Sequence, residues 1–280
     1  MSGIDIAALR RMVLAIESNT QQRNFIDDNG LNNSETAHRF TLGHELADAA
    51  FPYGLAGNAL HEVVAENPGA PMAATGFALG LAWRSAKAER PFIWIEEEQA
   101  ADEYGRLYPP GLHAFGLDPA RFLFVRCPGA QDVLKAANDA LEANHGGKGA
   151  HTVSSIVIAL SGRPKCLDLT VSRRLLLAAG TAQTPIILLR SHRSSMQSAA
   201  VSRWRIAPAP SYSSGAGAPG KPAFNAVLER NRHGMCGQWI MEWNNEELSF
   251  GISERKRETS IPRTVVPLSA HGPLTPRRSA

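Results

Sequence analysis

Three cysteines, Cys127, Cys166 and Cys236, are all the chain has, and no two of them stand as C-x-x-C. That spacing excludes a disulfide framework and a zinc knuckle, leaving reduced, structural thiols as the expectation. Long apolar runs are missing as well. Nothing approaches the roughly 20 residues that cross a bilayer, and the amino terminus sets Asp5, Arg10 and Arg11 beside short apolar stretches instead of a secretory pattern. A soluble, cytoplasmic protein with no membrane partner is expected. Catalytic signatures are equally sparse: no G-x-S-x-G elbow surrounds a serine, and no catalytic frame surrounds a cysteine. The two His-Glu dipeptides, in His61-Glu62-Val63-Val64-Ala65 and His44-Glu45-Leu46-Ala47-Asp48, close on Ala and Asp, so neither puts two histidines on one helical face for zinc. No catalytic residue, metal or cofactor is expected. His61 and Glu62 read as a polar pair at a strand end, hydrogen-bonded inside the fold.

What is present is enough chain for a sizeable core, since 280 residues suit one larger domain with appendages or two small ones. The net charge of +3 is unevenly spread. Beyond Phe250, Arg255, Lys256, Arg257, Arg263, Arg277 and Arg278 face only Glu254 and Glu258, so the tail carries +4 and the body −1. A basic, proline-punctuated tail reads as a solvated, disordered end, with weak, salt-sensitive attraction to nucleic acid as its functional alternative.

The stretch from Phe51 to Trp83 organises the rest. Leu60 to Ala65 has the composition of a short strand, Asn67-Pro68-Gly69 of a turn, and Met72 to Arg84 of a proline-free helix rich in Ala and Leu. Strand, loop and helix in that order are the architecture of a phosphate-binding loop. Its chemistry is absent. Such a loop needs glycines for close backbone approach, a lysine to reach the γ-phosphate and a hydroxyl for magnesium. With the strand ending at Val64, Ala65 and Ala70 stand where the glycines belong, Pro71 where the lysine belongs, and Met72 where the hydroxyl belongs. Pro71 also lacks an N–H donor, although it is sterically at ease at a helix start. The window is a vestigial, emptied nucleotide site.

Ahead of it, Ile6, Leu9, Val13 and Ile16 fall at helical spacing within Ile4 to Glu17, residues 19–33 are a polar linker, His38 to Gly43 suggests a strand, and His44 to Ala50 a short helix. Pro91 to Ile95 is an apolar run expected as a buried parallel strand. It leads into Glu96, Glu97 and Glu98 and a helix from Gln99 to Leu107 that stops at Tyr108-Pro109-Pro110. A strand follows at Arg121 to Arg126 and a surface helix at Gln131 to Glu142. Gly146-Gly147-Lys148-Gly149 has no strand before it and reads as a flexible loop. Val153 to Leu160 is the counterpart of a magnesium-holding strand, yet it ends in Ala159-Leu160-Ser161-Gly162 without an acid. Leu167 to Gly180 is a helix with Asp168 in its first turn and a glycine at its end. Pro185 to Leu189 is an apolar strand, and Val201 to Ile206 alternates like a strand with one basic face. After a low-complexity loop at 211–221, Phe224 to Arg230, Gly237 to Trp243 and Leu248 to Gly251 read as antiparallel strands extending the main sheet at one edge. The chain thus divides into a helix and linker (1–37), a core (38–210), a flexible loop (211–223), a β extension (224–252) and a disordered basic tail (253–280).

Three pieces of wording resemble the ImuA family, the accessory proteins of bacterial damage-induced mutagenesis: G-L-A-G-N-A-L-H-E-V-V-A at 54–65, the pair Arg173-Arg174, and S-A-A-V-S-R-W-R-I at 198–206. The resemblance spans roughly Phe40 to Phe250. It implies an α/β fold with a RecA-like, mostly parallel sheet flanked by helices. It implies further a non-catalytic adaptor of SOS-induced, error-prone translesion DNA synthesis. The partners it implies are the inactive Y-family polymerase homologue (ImuB-like), the error-prone DNA polymerase III α-subunit paralogue, RecA and DNA. In RecA-type enzymes a carboxylate after the second core strand activates water, and Glu98 sits in the matching place; its plainer reading is an acid favouring a helix start. Loops after these strands face DNA in such proteins, which makes Arg173, Arg174, Arg190, Arg193, Arg203 and Arg205, with Arg163 and Lys165, candidates for DNA or partner contact. The alternatives are an ordinary solvated face and, for Arg173 or Arg174, pairing with Asp168. Rival functions are an active RecA-like NTPase, a DNA-binding repair protein and a SulA-like inhibitor of cell division.

Overall fold

The computed structural model describes residues 38–87, 89–145, 152–192, 197–211 and 220–252. The expected helix at 4–17, the linker at 19–33, the glycine loop at 146–149, most of the 211–221 loop, Arg193 and the basic tail lie outside them. A two-residue ladder of β1 (Arg39–Phe40) and β2 (Leu55–Ala56) precedes the main sheet. That sheet has six mutually parallel strands: β3 (Leu60–Ala65), β4 (Phe92–Glu97), β5 (Phe122–Cys127), β6 (Ser155–Leu160), β7 (Ile186–Arg190) and β8 (Ser202–Pro208). Antiparallel β9 (Ala223–Asn231), β10 (Gly237–Asn244) and β11 (Ser249–Ile252) continue it, and the spatial order is β11-β10-β9-β8-β3-β7-β6-β4-β5. The expected architecture, a mostly parallel sheet between helices with a C-terminal antiparallel extension, is the one found.

β3, β4 and β7 are buried at every residue, as strands covered on both faces must be. One face is covered by the Pro71–Arg84 helix, which starts on a proline at its first position and buries most of its length. Its Phe77 ring centroid lies 5.2 Å from that of Trp204, 4.9 Å from Phe250 and 5.9 Å from Phe224. The opposite face is aliphatic, with Ile156, Ile158 and Leu188 against Val133, Leu175 and Leu176 of the Ala130–His145 and Leu169–Ala182 helices.

Several boundaries differ from expectation for local reasons. The helix after β4 runs Glu98–Tyr104 and stops short of Leu107 at Gly105, whose φ of 85° departs from the helix. Pro109 and Pro110, expected only as a stop, begin a further helix, Pro109–Ala114, because proline is pre-shaped for the first helical turn. Asp168 is the N-cap of the Leu169–Ala182 helix, accepting from Val171 N at 2.7 Å. Gly180 lies inside that helix, and Gln183, at φ 52°, ends it. Of His38 to Gly43 only Arg39–Phe40 forms a strand. Among the described residues no helix is long and apolar enough to cross a membrane.

Candidate functional site

Open parallel sheets bind ligands beyond the carboxyl ends of their strands, so the loops after β3, β4, β6 and β7 are where a site belongs. The loop after β3 spends its own polar groups. Glu66 N donates to Ile206 O at 2.8 Å, prolonging the β3–β8 ladder. Asn67 accepts from Gly69 N at 2.9 Å through its side chain and from Ala70 N at 3.0 Å through its carbonyl. Pro68 and Pro71 have no N–H to offer. Ala65 and Ala70 are buried, Pro71 opens the helix, and Met72 is 55% exposed. Glu66, at the loop's first position, is ion-paired with Arg205, which also donates to Glu229 at 2.7 Å. The amides of Glu66, Gly69 and Ala70 are thus satisfied within the fold.

The three glutamates after β4 have separate fates. Buried Glu96 accepts from Trp94 Nε1 at 2.9 Å and Arg126 Nε at 3.3 Å. Buried Glu97 accepts from Ser161 N at 2.9 Å and Ser161 Oγ at 3.3 Å, tying the end of β4 to that of β6. Glu98 is an exposed acid in the first helical turn. The carboxylate at the strand end is therefore Glu97, with both oxygens engaged. Gly162 N donates to Ser191 Oγ at 3.0 Å and joins β6 to β7 in the same way. Between these strand ends and the Pro71–Arg84 helix opens a cleft of about 570 Å³ counting its mouth, with Met72, Trp94, Ala101, Leu107 and Leu189 among its apolar lining.

His61 and Glu62 lie in the middle of β3, not at its end, and both are buried. Glu62 accepts from Arg190 Nη1 at 3.1 Å, Arg203 Nε at 2.8 Å and Ser198 Oγ at 2.6 Å. Two cations thus share one carboxylate, and Nε and Nη2 of the 2%-exposed Arg190 have no partner among the described residues. His61 Nε2 lies 2.8 Å from Ala56 O, to which it must donate, so Nδ1 accepts from Ser202 Oγ at 2.7 Å. Burial pushes its pKa down to about 4.

The five described arginines among the six suggested by sequence do not form one surface. Arg190 and Arg203 are internal counter-ions of Glu62, Arg205 is held between Glu66 and Glu229, and Arg173 and Arg174 are exposed early in the Leu169–Ala182 helix. Arg193 lies outside the described residues. Asp168 is occupied as an N-cap. Sequence reasoning missed Glu62 as a hub and Glu66 as an arginine partner, because both depend on which strands lie side by side. The usable signal was an apolar strand interrupted by the pair His61-Glu62.

No family model matches the chain. Among curated proteins it is similar to Protein ImuA of Caulobacter vibrioides strain NA1000 / CB15N, 31% identical over 72% of this chain and 82% of that protein. Protein ImuA of the Caulobacter vibrioides strain CB 15 matches to the same extent. At that identity and coverage, the chain belongs to the ImuA family.

Proposed function

We propose that this chain is a non-catalytic accessory protein of damage-induced, error-prone translesion DNA synthesis, working in the cytoplasm as an adaptor. The observation that carries the reading is a strand, loop and helix whose loop lacks lysine and hydroxyl and turns its amides inward, in a member of the ImuA family. A scaffold that spends its phosphate-binding groups internally is suited to presenting surfaces to other proteins. Its partners in this reading are the inactive Y-family polymerase homologue, the error-prone DNA polymerase III α-subunit paralogue and RecA, with Arg173 and Arg174 as exposed residues for a partner or DNA. The test has two arms. Tagged chain pulled from DNA-damaged cells is expected to bring the Y-family homologue and the α-subunit paralogue, and recovery of neither removes the adaptor role. In the second arm, millimolar ATP with magnesium is expected to leave the melting temperature unchanged; a rise identifies a nucleotide bound by the native state and restores the NTPase rival.

A further inference from the structure

Arg190 ends β7 with its charge only partly answered. Its Nη1 donates to Glu62 at 3.1 Å, and the same carboxylate also serves Arg203. Nε and Nη2, which together form the side-on fork of a guanidinium, have no partner among the described residues, although the residue is only 2% exposed. A buried cation short of acceptors is costly, so an acceptor with two oxygens at that fork would be stabilising. Arg190 belongs to the lining of the cleft over the ends of β4, β6 and β7.

The rest of the lining narrows what such an acceptor is attached to. Met72, Trp94, Leu107 and Leu189 make the walls mostly apolar. The formal charges are one carboxylate, Glu96, against two guanidinium groups, Arg106 and Arg190. Glu96 is already met by Trp94 Nε1 and by Arg126, and Arg106 by Asp102 at 3.2 Å. One fork is left, which suits one singly charged head group. A phosphate chain needs several converging donors, whereas the amides of Glu66, Gly69 and Ala70 are spent within the fold and Pro71 has none. The cleft's volume of about 570 Å³, counting its mouth, is that of a small-molecule site.

We propose that this cleft binds a small carboxylic acid with an apolar body, its two carboxylate oxygens on Nε and Nη2 of Arg190 and its body against Met72, Trp94 and Leu107. The inference goes beyond the adaptor reading and does not depend on it. Burial of the body supplies affinity, and the fork selects the carboxylate over a neutral head group of the same shape.

Calorimetric titration of the full chain with phenylbutyrate, octanoate and indoleacetate, each beside its neutral primary amide, tests it. Saturable binding of at least one acid is expected, with a raised melting temperature and no counterpart for its amide or for inorganic phosphate. Arg190→Lys keeps a cation on Glu62 but loses the fork, and is expected to weaken the acid roughly tenfold. Ala100→Trp fills the cleft from a half-buried position on the Glu98–Tyr104 helix that has no part in the Glu62 hub. It is expected to abolish binding, and it carries the test should Arg190→Lys fail to fold. Saturable binding of none of the acids, amides bound as tightly as acids, a preference for inorganic phosphate, or affinity unchanged in Ala100→Trp overturns the proposal. Recovery of the polymerase partners from damaged cells is read separately, so either reading can fail while the other stands.

Discussion

His61 is neutral in the fold because its surroundings have room for one proton and no counter-charge. Burial is the main cause of its low pKa, opposed by the hydrogen bond to Ala56 and reinforced by the positive field of Arg39. The unfolded chain takes up that proton near pH 6.5 and the folded chain near 4. The stability owed to neutral His61 is therefore whole above pH 6.5 and drains away as pH falls toward 4, by about 3 kcal/mol in all. Urea unfolding across that window is expected to show the decline, and His61→Gln to flatten it. His38, half-buried and also lowered by burial, adds a slope of the same sign, so the difference between the two proteins is the quantity that tests the residue. An unchanged slope in His61→Gln would refute it. In the sequence His61 was visible as a polar residue in an apolar run, but its acceptor lies in β2 and its donor in β8, two segments that only folding brings together.

Among the elements, the Pro71–Arg84 helix shows how small residues set distances. A Cβ placed on Gly80 would lie 2.6 Å from Phe250 Cζ and 2.9 Å from the Trp243 ring, so the absent side chain is what admits two aromatics to the helix surface. In an exposed helix Gly→Ala gains about 1 kcal/mol. Here overpacking costs about 1–3 kcal/mol, and Gly80→Ala is expected to lower urea stability by about 1 kcal/mol on balance. A stabilised variant would mean that Phe250 and Trp243 move aside freely. Helix and strand identities were legible because parallel strands buried on both faces are apolar throughout, as in β4 and β7. Pro109-Pro110 misled because proline both ends one helix and begins the next.

At the scale of the molecule, Glu62 is a seam. Its partners come from β7, from β8 and from Ser198, just before β8, and Arg230 of β9 donates to the Ser198 carbonyl, so one carboxylate joins the parallel sheet to the antiparallel extension. Glu62→Gln leaves Arg190 and Arg203 facing a neutral amide, and removing one partner of a buried pair costs about 3–5 kcal/mol. The expected result is a loss of that size with the transition still single, read by urea at two wavelengths. Independent early melting of the strands between 223 and 252 would show the extension to be a separate unit. Sequence showed Glu62 as a polar residue hydrogen-bonded inside the fold but not which partners it takes, since Glu62, Arg190 and Arg203 are neighbours only in the order β7-β3-β8. The lack of lysine, serine and threonine at 65–72 was legible, because it turns on residue types within one short segment.

All five tryptophans belong to one layer. Trp94, Trp204 and Trp243 are buried on the side of the Pro71–Arg84 helix, Trp83 and Trp239 pack against them, and the aliphatic layer opposite has no aromatic ring among its described core residues. Intrinsic emission from this protein is thus a one-sided spectroscopic probe. It reports loosening around the cleft, where Trp94 sits, and is blind to the Ala130–His145 and Leu169–Ala182 helices, whose unwinding registers only in far-ultraviolet dichroism.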